Sequence, residues 1–257
     1  MPESIVSGPS ANGRAHHGPT EAVIFDWGGT LSVFVPIDMD DMWRMAARHL
    51  ASSTDPGRED EIRARLVDVE AEAWAGIAVD QRSFTLAELL AQASKALQLD
   101  VVAAVLEEAS QGHLDAWTPH IRHHPDAVAV LADLKARGLQ VGVLSNTHWP
   151  RAFHEHFLSR DGLAPYIDAQ VYTSELPFSK PHPSAFRAAL DALGVGEPGR
   201  TVFVGDRLYD DIHGAQQAGM RGVLRPHNLV PGYNVEPDAV IGSLSELAAV
   251  IDRWDEE

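Results

Sequence analysis

The run Val23-Ile24-Phe25-Asp26-Trp27-Gly28-Gly29-Thr30-Leu31 delivers a carboxylate from a short apolar segment straight into a two-glycine turn. A charge lodged beside apolar residues costs free energy unless a metal or a reaction uses it. Three other places combine reactive side chains with the end of an apolar run: Ser145-Asn146, Lys180 before Pro181, and Gly205-Asp206 with Asp210-Asp211 behind it. Brought together, several carboxylates cannot all stay ionised without a cation, which implies an oxygen-liganded divalent ion, Mg²⁺ being the natural choice. Lys180, Ser145 and the backbone N–H groups of the Gly28-Gly29 turn are donors suited to the oxygens of a transferring phosphoryl group. Asp26 can then act as a nucleophile that forms an aspartyl-phosphate. Asp210 and Asp211 also have a simpler use, capping the helix that follows them.

These residues converge only if the elements before them share one sheet. Ala22–Phe25, Leu139–Leu144, Thr201–Val204 and Gly222–Leu224 read as strands, with Ala169–Thr173 and Ala239–Ile241 as weaker candidates. Uninterrupted apolar runs of this length suit strands covered on both faces. Helical patterns lie between them at Asp126–Arg137, Pro183–Leu193, Asp211–Ala218 and Ser245–Trp254. Alternating strand and helix predicts a parallel α/β sheet whose C-terminal strand edge collects the four sites. From about Pro36 to Trp117 the alternation stops, and four amphipathic segments (Asp40–Ala51, Arg58–Ala75, Leu86–Leu97, Val101–Ala116) follow one another. Thr85 and Glu88 form a capping box opening the third. A helical block of this length is too long for a crossover and predicts a small domain over the strand ends.

Composition bounds the partners. The 257 residues carry a net charge of -17, which argues against binding a nucleic-acid backbone. There is no cysteine, so thiolate chemistry and disulfides are excluded. No window has the apolar length of a membrane span, and Met1 to Thr20 lack the apolar core of a signal peptide. A disordered lead-in over residues 1–20 and a cytoplasmic protein without a membrane partner are expected.

The ordered set Asp26-x-Gly-Gly-Thr-Leu, Ser145-Asn146, Lys180-Pro and Gly205-Asp206-x4-Asp211 resembles the haloacid dehalogenase (HAD) superfamily of hydrolases. The resemblance implies a doubly wound, Rossmann-like core at residues 21–35 and 119–257, with a helical cap at 36–118. It further implies that Asp26 is the nucleophile and that Thr30 and Ser145 orient it and the phosphoryl oxygens, while Lys180 neutralises both. Asp206 matches the metal ligand and Asp211 an outer carboxylate of the Mg²⁺ site, with Asp210 as an alternative register. The metal set expected is therefore Asp26, the Gly28 carbonyl, Asp206 and Asp211. Gly29, Asn146 and His148 are expected to face the substrate, a small phosphorylated metabolite.

The departure is Gly28, where phosphatases of the superfamily carry a second aspartate as general acid/base. His148 is a candidate replacement. Two relatives also lack that aspartate. Phosphonoacetaldehyde hydrolases need a cap lysine, and the only lysine in this cap is Lys95, far along the third helix. Metal-independent 2-haloacid dehalogenases are the alternative activity, although they do not normally keep Gly-Asp-x4-Asp. A nearly inactive binding protein with the same fold is a third reading. His120, His123 and His124 read as a polar hinge, Trp27 and Trp149 as pocket wall. Asp38, Asp40, Asp41, Trp43 and Arg44 are candidates for recognition from the cap.

Overall fold

The computed structural model describes residues 18–227 and 231–256. Residues 1–17, most of the expected N-terminal lead-in, lie outside the described part. Thr20, expected to close that segment, is buried and donates through its backbone and hydroxyl to Asp255.

Six strands form one parallel sheet: β1 (Ala22–Phe25), β2 (Gln140–Ser145), β3 (Ala169–Tyr172), β4 (Thr201–Gly205), β5 (Arg221–Leu224) and β6 (Ala239–Val240), in the order β3-β2-β1-β4-β5-β6. The expected doubly wound sheet is therefore what the chain forms. The order reverses between β1 and β4, where Ile24 pairs with Gly142 on one side and Phe203 on the other. Open α/β sheets bind ligands at such a switch point, beyond the strands' carboxyl ends.

Side chains of a strand alternate between faces, so both faces here must be apolar. Val23 and Phe25 join Val141, Val143, Val202 and Val204 in one core cluster. That cluster is covered by α5 (Ala127–Ala136) through Leu131 and Leu134, by α6 (Arg151–Arg160) through Phe157 and Leu158, and by α9 (Leu247–Glu256) through Ile251. Ala22, Ile24, Leu144 and Phe203 point the other way, against Ala185, Phe186, Ala189 and Leu190 of α7 (Pro183–Leu193). A Cβ on Gly142 would lie 3.0 Å from Leu193 Cδ1, so glycine there lets α7 sit close to the sheet.

Between β1 and β2 run four helices: α1 (Met39–Ser53), α2 (Glu59–Asp80), α3 (Leu86–Ala96) and α4 (Ala103–Trp117). They bury Trp43, Leu50, Ile62, Leu66, Leu89 and Leu90 among themselves. Asp38 caps α1 by accepting from Asp40 N, and the Thr85/Glu88 box opens α3 as expected. The α2 helix runs five residues beyond the predicted Ala75 because Ile77 is buried; it stops at Gln81, whose backbone is left-handed. The connection after α2 seats the insert on the sheet edge. Ser179 N donates to Gln81 O, Ser83 N to Pro177 O, and Leu86 N to His148 O.

Two elements depart from the sequence pattern. Helix α6 was not predicted, since only His154, Phe157 and Leu158 of its ten residues are buried. The helix expected over Asp211–Ala218 begins instead as a wide π turn at Leu208–His213 and ends as the short α8 (Gly214–Gln217). The turn bends because the Asp211 side chain folds back to accept from the backbone N–H groups of Asp206 and Arg207.

Candidate active site

Asp26 follows β1 directly, and its N–H extends the ladder to Val204 O at 2.8 Å. This places the carboxylate at the switch point, buried and 2.7 Å from Lys180 Nζ. Lys180 is wholly buried and donates equally to Asp211 Oδ1, also at 2.7 Å. Its backbone is clamped by Asn146, whose side chain accepts from Lys180 N and donates to Lys180 O. Both ends of the Asn146 amide are thus committed to positioning the lysine.

Asp206 completes the group. One ligand oxygen each from Asp26, Asp206 and Asp211 falls within 4.8 Å of the others, the one such cluster among the described residues. Asp206 Oδ2 lies 2.7 Å from His227 Nε2, while its Oδ1 is buried without a hydrogen-bond partner. Two glycines make room for this packing. A Cβ on Gly29 would lie 2.5 Å from Asp206 Oδ2, and its φ of +84° is unfavourable for other residues. A Cβ on Gly205 would overlap the Asp211 carboxylate.

The electrostatics follow from the crowding. Burial, reinforced by Asp26 and Asp211, pushes the Asp206 carboxyl up to about 9. Burial also raises Asp26 to about 6, with Lys180 opposing and Asp211 adding to the shift. Asp210, half-buried beside Asp211, is raised to about 6, chiefly by desolvation. Burial alone would lower the Lys180 pKa, but the paired carboxylates of Asp211 and Asp26 hold it above its ordinary value. Four carboxylates face two basic side chains, Lys180 and Arg207, so full ionisation leaves two negative charges unbalanced. At about 4 Å each like-charge pair is worth roughly 4 kcal/mol of repulsion in a protein-like dielectric. The buried, unpartnered Asp206 oxygen and the all-oxygen donor set fit a hard divalent cation such as Mg²⁺.

The other predicted residues sit as follows. Thr30 and Ser145 are buried, and the Thr30 hydroxyl has no partner. Gly28, Gly29, Ser145, Asn146 and His148 all line one cavity of about 1030 Å³ together with Asp26 and Lys180. A Cβ on Gly28 would meet nothing within 4 Å, so the place of a second aspartate is open space. Burial holds His148 well below the usual imidazole range, so it is neutral and holds no proton that it could give as an imidazolium. His123 accepts from Trp27 Nε1 and bonds Asp161 through Nδ1, which fixes the indole beside Asp26; His124 faces Arg225.

The cap-side candidates from the start of α1 do not reach the cavity. Asp40 pairs with Arg63, Arg44 pairs with Asp41, and Trp43 is buried with its indole on Glu70. The helical wall is supplied by α2 instead, through Val67, Glu70, Ala71, Trp74, Ile77 and Ala78. Glu70 was missed, yet it carried a signal: an acid on the buried stripe Ile62, Leu66, Val69, Ile77. His227 and Tyr209 were missed as well, and no local pattern marks either.

Residues 20–219 match the family described as haloacid dehalogenase-like hydrolase. The chain belongs to that family. It is 36% identical over 140 residues to a glyceraldehyde 3-phosphate phosphatase of Methanothermobacter thermautotrophicus, a stretch covering 51% of this chain and 59% of that protein. It is 35% identical over 125 residues to a phosphoserine phosphatase of Thermus thermophilus, covering 48% and 49%. The chain therefore spans about half to three fifths of these relatives. A HAD phosphatase structure from Thermococcus onnurineus superposes with a TM-score of 0.62 at 26% identity, over 90% of this chain and 98% of that one. A 2-haloacid dehalogenase from Pseudomonas syringae pv. Tomato reaches 0.65 at 23%, over 91% and 99%, and shows the shared fold. This chain places its acidic cluster at the sheet's switch point.

Proposed function

We propose that this HAD-family hydrolase is a Mg²⁺-dependent phosphomonoesterase acting through Asp26, with residues 36–118 forming a cap over a core of 21–35 and 119–257. The observation that carries the reading is the buried constellation of Asp26 on Lys180 beside Asp206 and Asp211. Asp26, Asp206 and Asp211, with the Gly28 carbonyl, would hold Mg²⁺, which supplies charge neutralisation for the phosphoryl oxygens.

Asp26 is the attacking carboxylate. Its oxygen forms a bond to phosphorus as the ester P–O bond breaks, and water later cleaves the acyl-phosphate to regenerate Asp26. Lys180 keeps Asp26 ionised and oriented, and Asn146 holds Lys180 in place. Ser145 and the Gly28-Gly29 turn line the cavity, where the hydroxyl and the backbone N–H groups would serve as donors to the phosphoryl oxygens. With glycine at position 28, the departing alkoxide takes its proton from water. General acid assistance is typically worth about 10²–10⁴-fold, so esters of acidic alcohols should be favoured. Dehalogenation is served less well, because it has no use for three crowded carboxylates.

Phosphate release from p-nitrophenyl phosphate, with Mg²⁺ and with chelator, tests the reading. Release should require Mg²⁺ and vanish in Asp26→Asn; release that survives chelation, or that persists in Asp26→Asn, would overturn it.

A further inference from the structure

The cavity is far larger than a phosphate needs, and its α2 end is chemically distinct. A continuous wall of rings leads away from Asp26: Trp27 to Trp149 at 6.2 Å between centroids, Trp149 to His148 at 5.7 Å, and His148 to Trp74 at 5.8 Å. At its end stands Glu70, a buried carboxylate. It accepts from the indole N–H groups of Trp43 at 2.7 Å and Trp74 at 3.2 Å, and among the described residues no lysine or arginine pairs with it.

The second observation is independent of the carboxylate. His148 is 3% exposed and lines the same cavity, and its Nδ1 has no hydrogen-bond partner. Its Nε2 lies 3.4 Å from His113 Nε2. With His148 Nε2–H donating to His113, Nδ1 is left as an acceptor, 3.9 Å from Glu70 Oε1. Two acceptors at that separation suit one nitrogen donor that reaches both. Burial raises the Glu70 carboxyl pKa, so the anion here is costly until a positive charge joins it. An aromatic-lined pocket ending in a buried carboxylate has the chemistry that recognises an organic ammonium.

We propose that the Glu70–His148–Trp74 end of the cavity binds an ammonium group. The substrates would then be phosphate monoesters of alcohols with an aromatic or bulky apolar body and an amine at the far end. The substrate part of this inference rests on the phosphomonoesterase reading; the ammonium site does not.

The test compares para-aminomethylbenzyl alcohol with its isostere para-ethylbenzyl alcohol, as free alcohols and as phosphate esters, on wild type and Glu70→Gln. Binding of the free alcohols, followed by tryptophan fluorescence, is expected to favour the amine by at least about tenfold in wild type. Glu70→Gln should bring that ratio near one, and the ratio of kcat/KM for the two esters should change in step. Equal binding of the two alcohols by wild type, or an unchanged preference in a folded Glu70→Gln, would overturn the site. If the amine preference is present but neither ester is cleaved, the ammonium site stands and the phosphomonoesterase reading falls.

Discussion

In the proposed reaction, Gly28 leaves the departing oxygen without an acid from its own motif. Its φ is not left-handed and a Cβ there meets nothing within 4 Å, so a larger residue fits without displacing a neighbour. Gly28→Asp should therefore fold normally and place an acid beside the leaving oxygen. Turnover of alkyl phosphates is expected to rise about 10²-fold, while p-nitrophenyl phosphate, with its good leaving group, should gain much less. An equal gain on both esters, or no gain, would show that protonation of the leaving group does not limit this enzyme. At this scale the sequence was legible for the placement of Asp26 and Asp206, each directly after its strand, β1 or β4, and meeting in one cluster, while Lys180 reaches Asp26 from a loop eight positions past β3. It was not legible where the role depends on a distant partner. Asn146 looked like a substrate contact, but its amide is used on Lys180, 34 positions away. His227 lies against Asp206 from a connection with no marking pattern.

Elements with local determinants were readable to the residue. β1 is a bare apolar run bounded by a glycine turn, and α7 starts at proline and stops at a left-handed Gly194. Helix α6 escaped because its buried side includes His154, a residue that a hydrophobic pattern does not count. The π turn escaped because it answers to the Asp211 side chain rather than to a periodic face. The Thr85/Glu88 box was readable and also has mechanical importance, since α3 begins where Leu86 N is tied to His148 O beside the cavity. Losing an N-cap hydroxyl typically costs about 1 kcal/mol. Thr85→Ala should lower unfolding stability by about that amount in urea titrations. A loss near zero would mean that tertiary contacts alone hold the start of α3.

Across the whole molecule, the acidic cluster would couple the proposed metal site to protonation and stability. Asp26 and Asp210 are raised to about 6 and Asp206 to about 9, all by burial first. A carboxyl whose pKa is higher folded than unfolded stabilises the fold fully below the unfolded value, about 4. That contribution is lost as pH rises through the folded value. The metal-free protein should therefore lose melting temperature from about pH 4 upward, most steeply up to about 6, more gently from there to about 9, and no further above that. A divalent cation competes with those protons, so Mg²⁺ should add little at about pH 5 and most above about pH 8. At about 100-fold excess over Kd the gain is about 3 kcal/mol, or roughly 6–12 °C for a chain of this size. Thermal melts with Mg²⁺ and with chelator at both pH values check this; a gain independent of pH would remove the cluster from the metal site.

The most direct test of the central claim is the covalent state of Asp26 during turnover. The reaction with p-nitrophenyl phosphate and Mg²⁺ would be quenched in acid within the first turnover, and the peptide carrying Asp26 weighed by mass spectrometry. One phosphoryl group on Asp26, absent with chelator and absent in Asp26→Asn, is the predicted result. Phosphate release with Asp26 unmodified at every time point, or a phosphoryl group on another residue, would contradict the account.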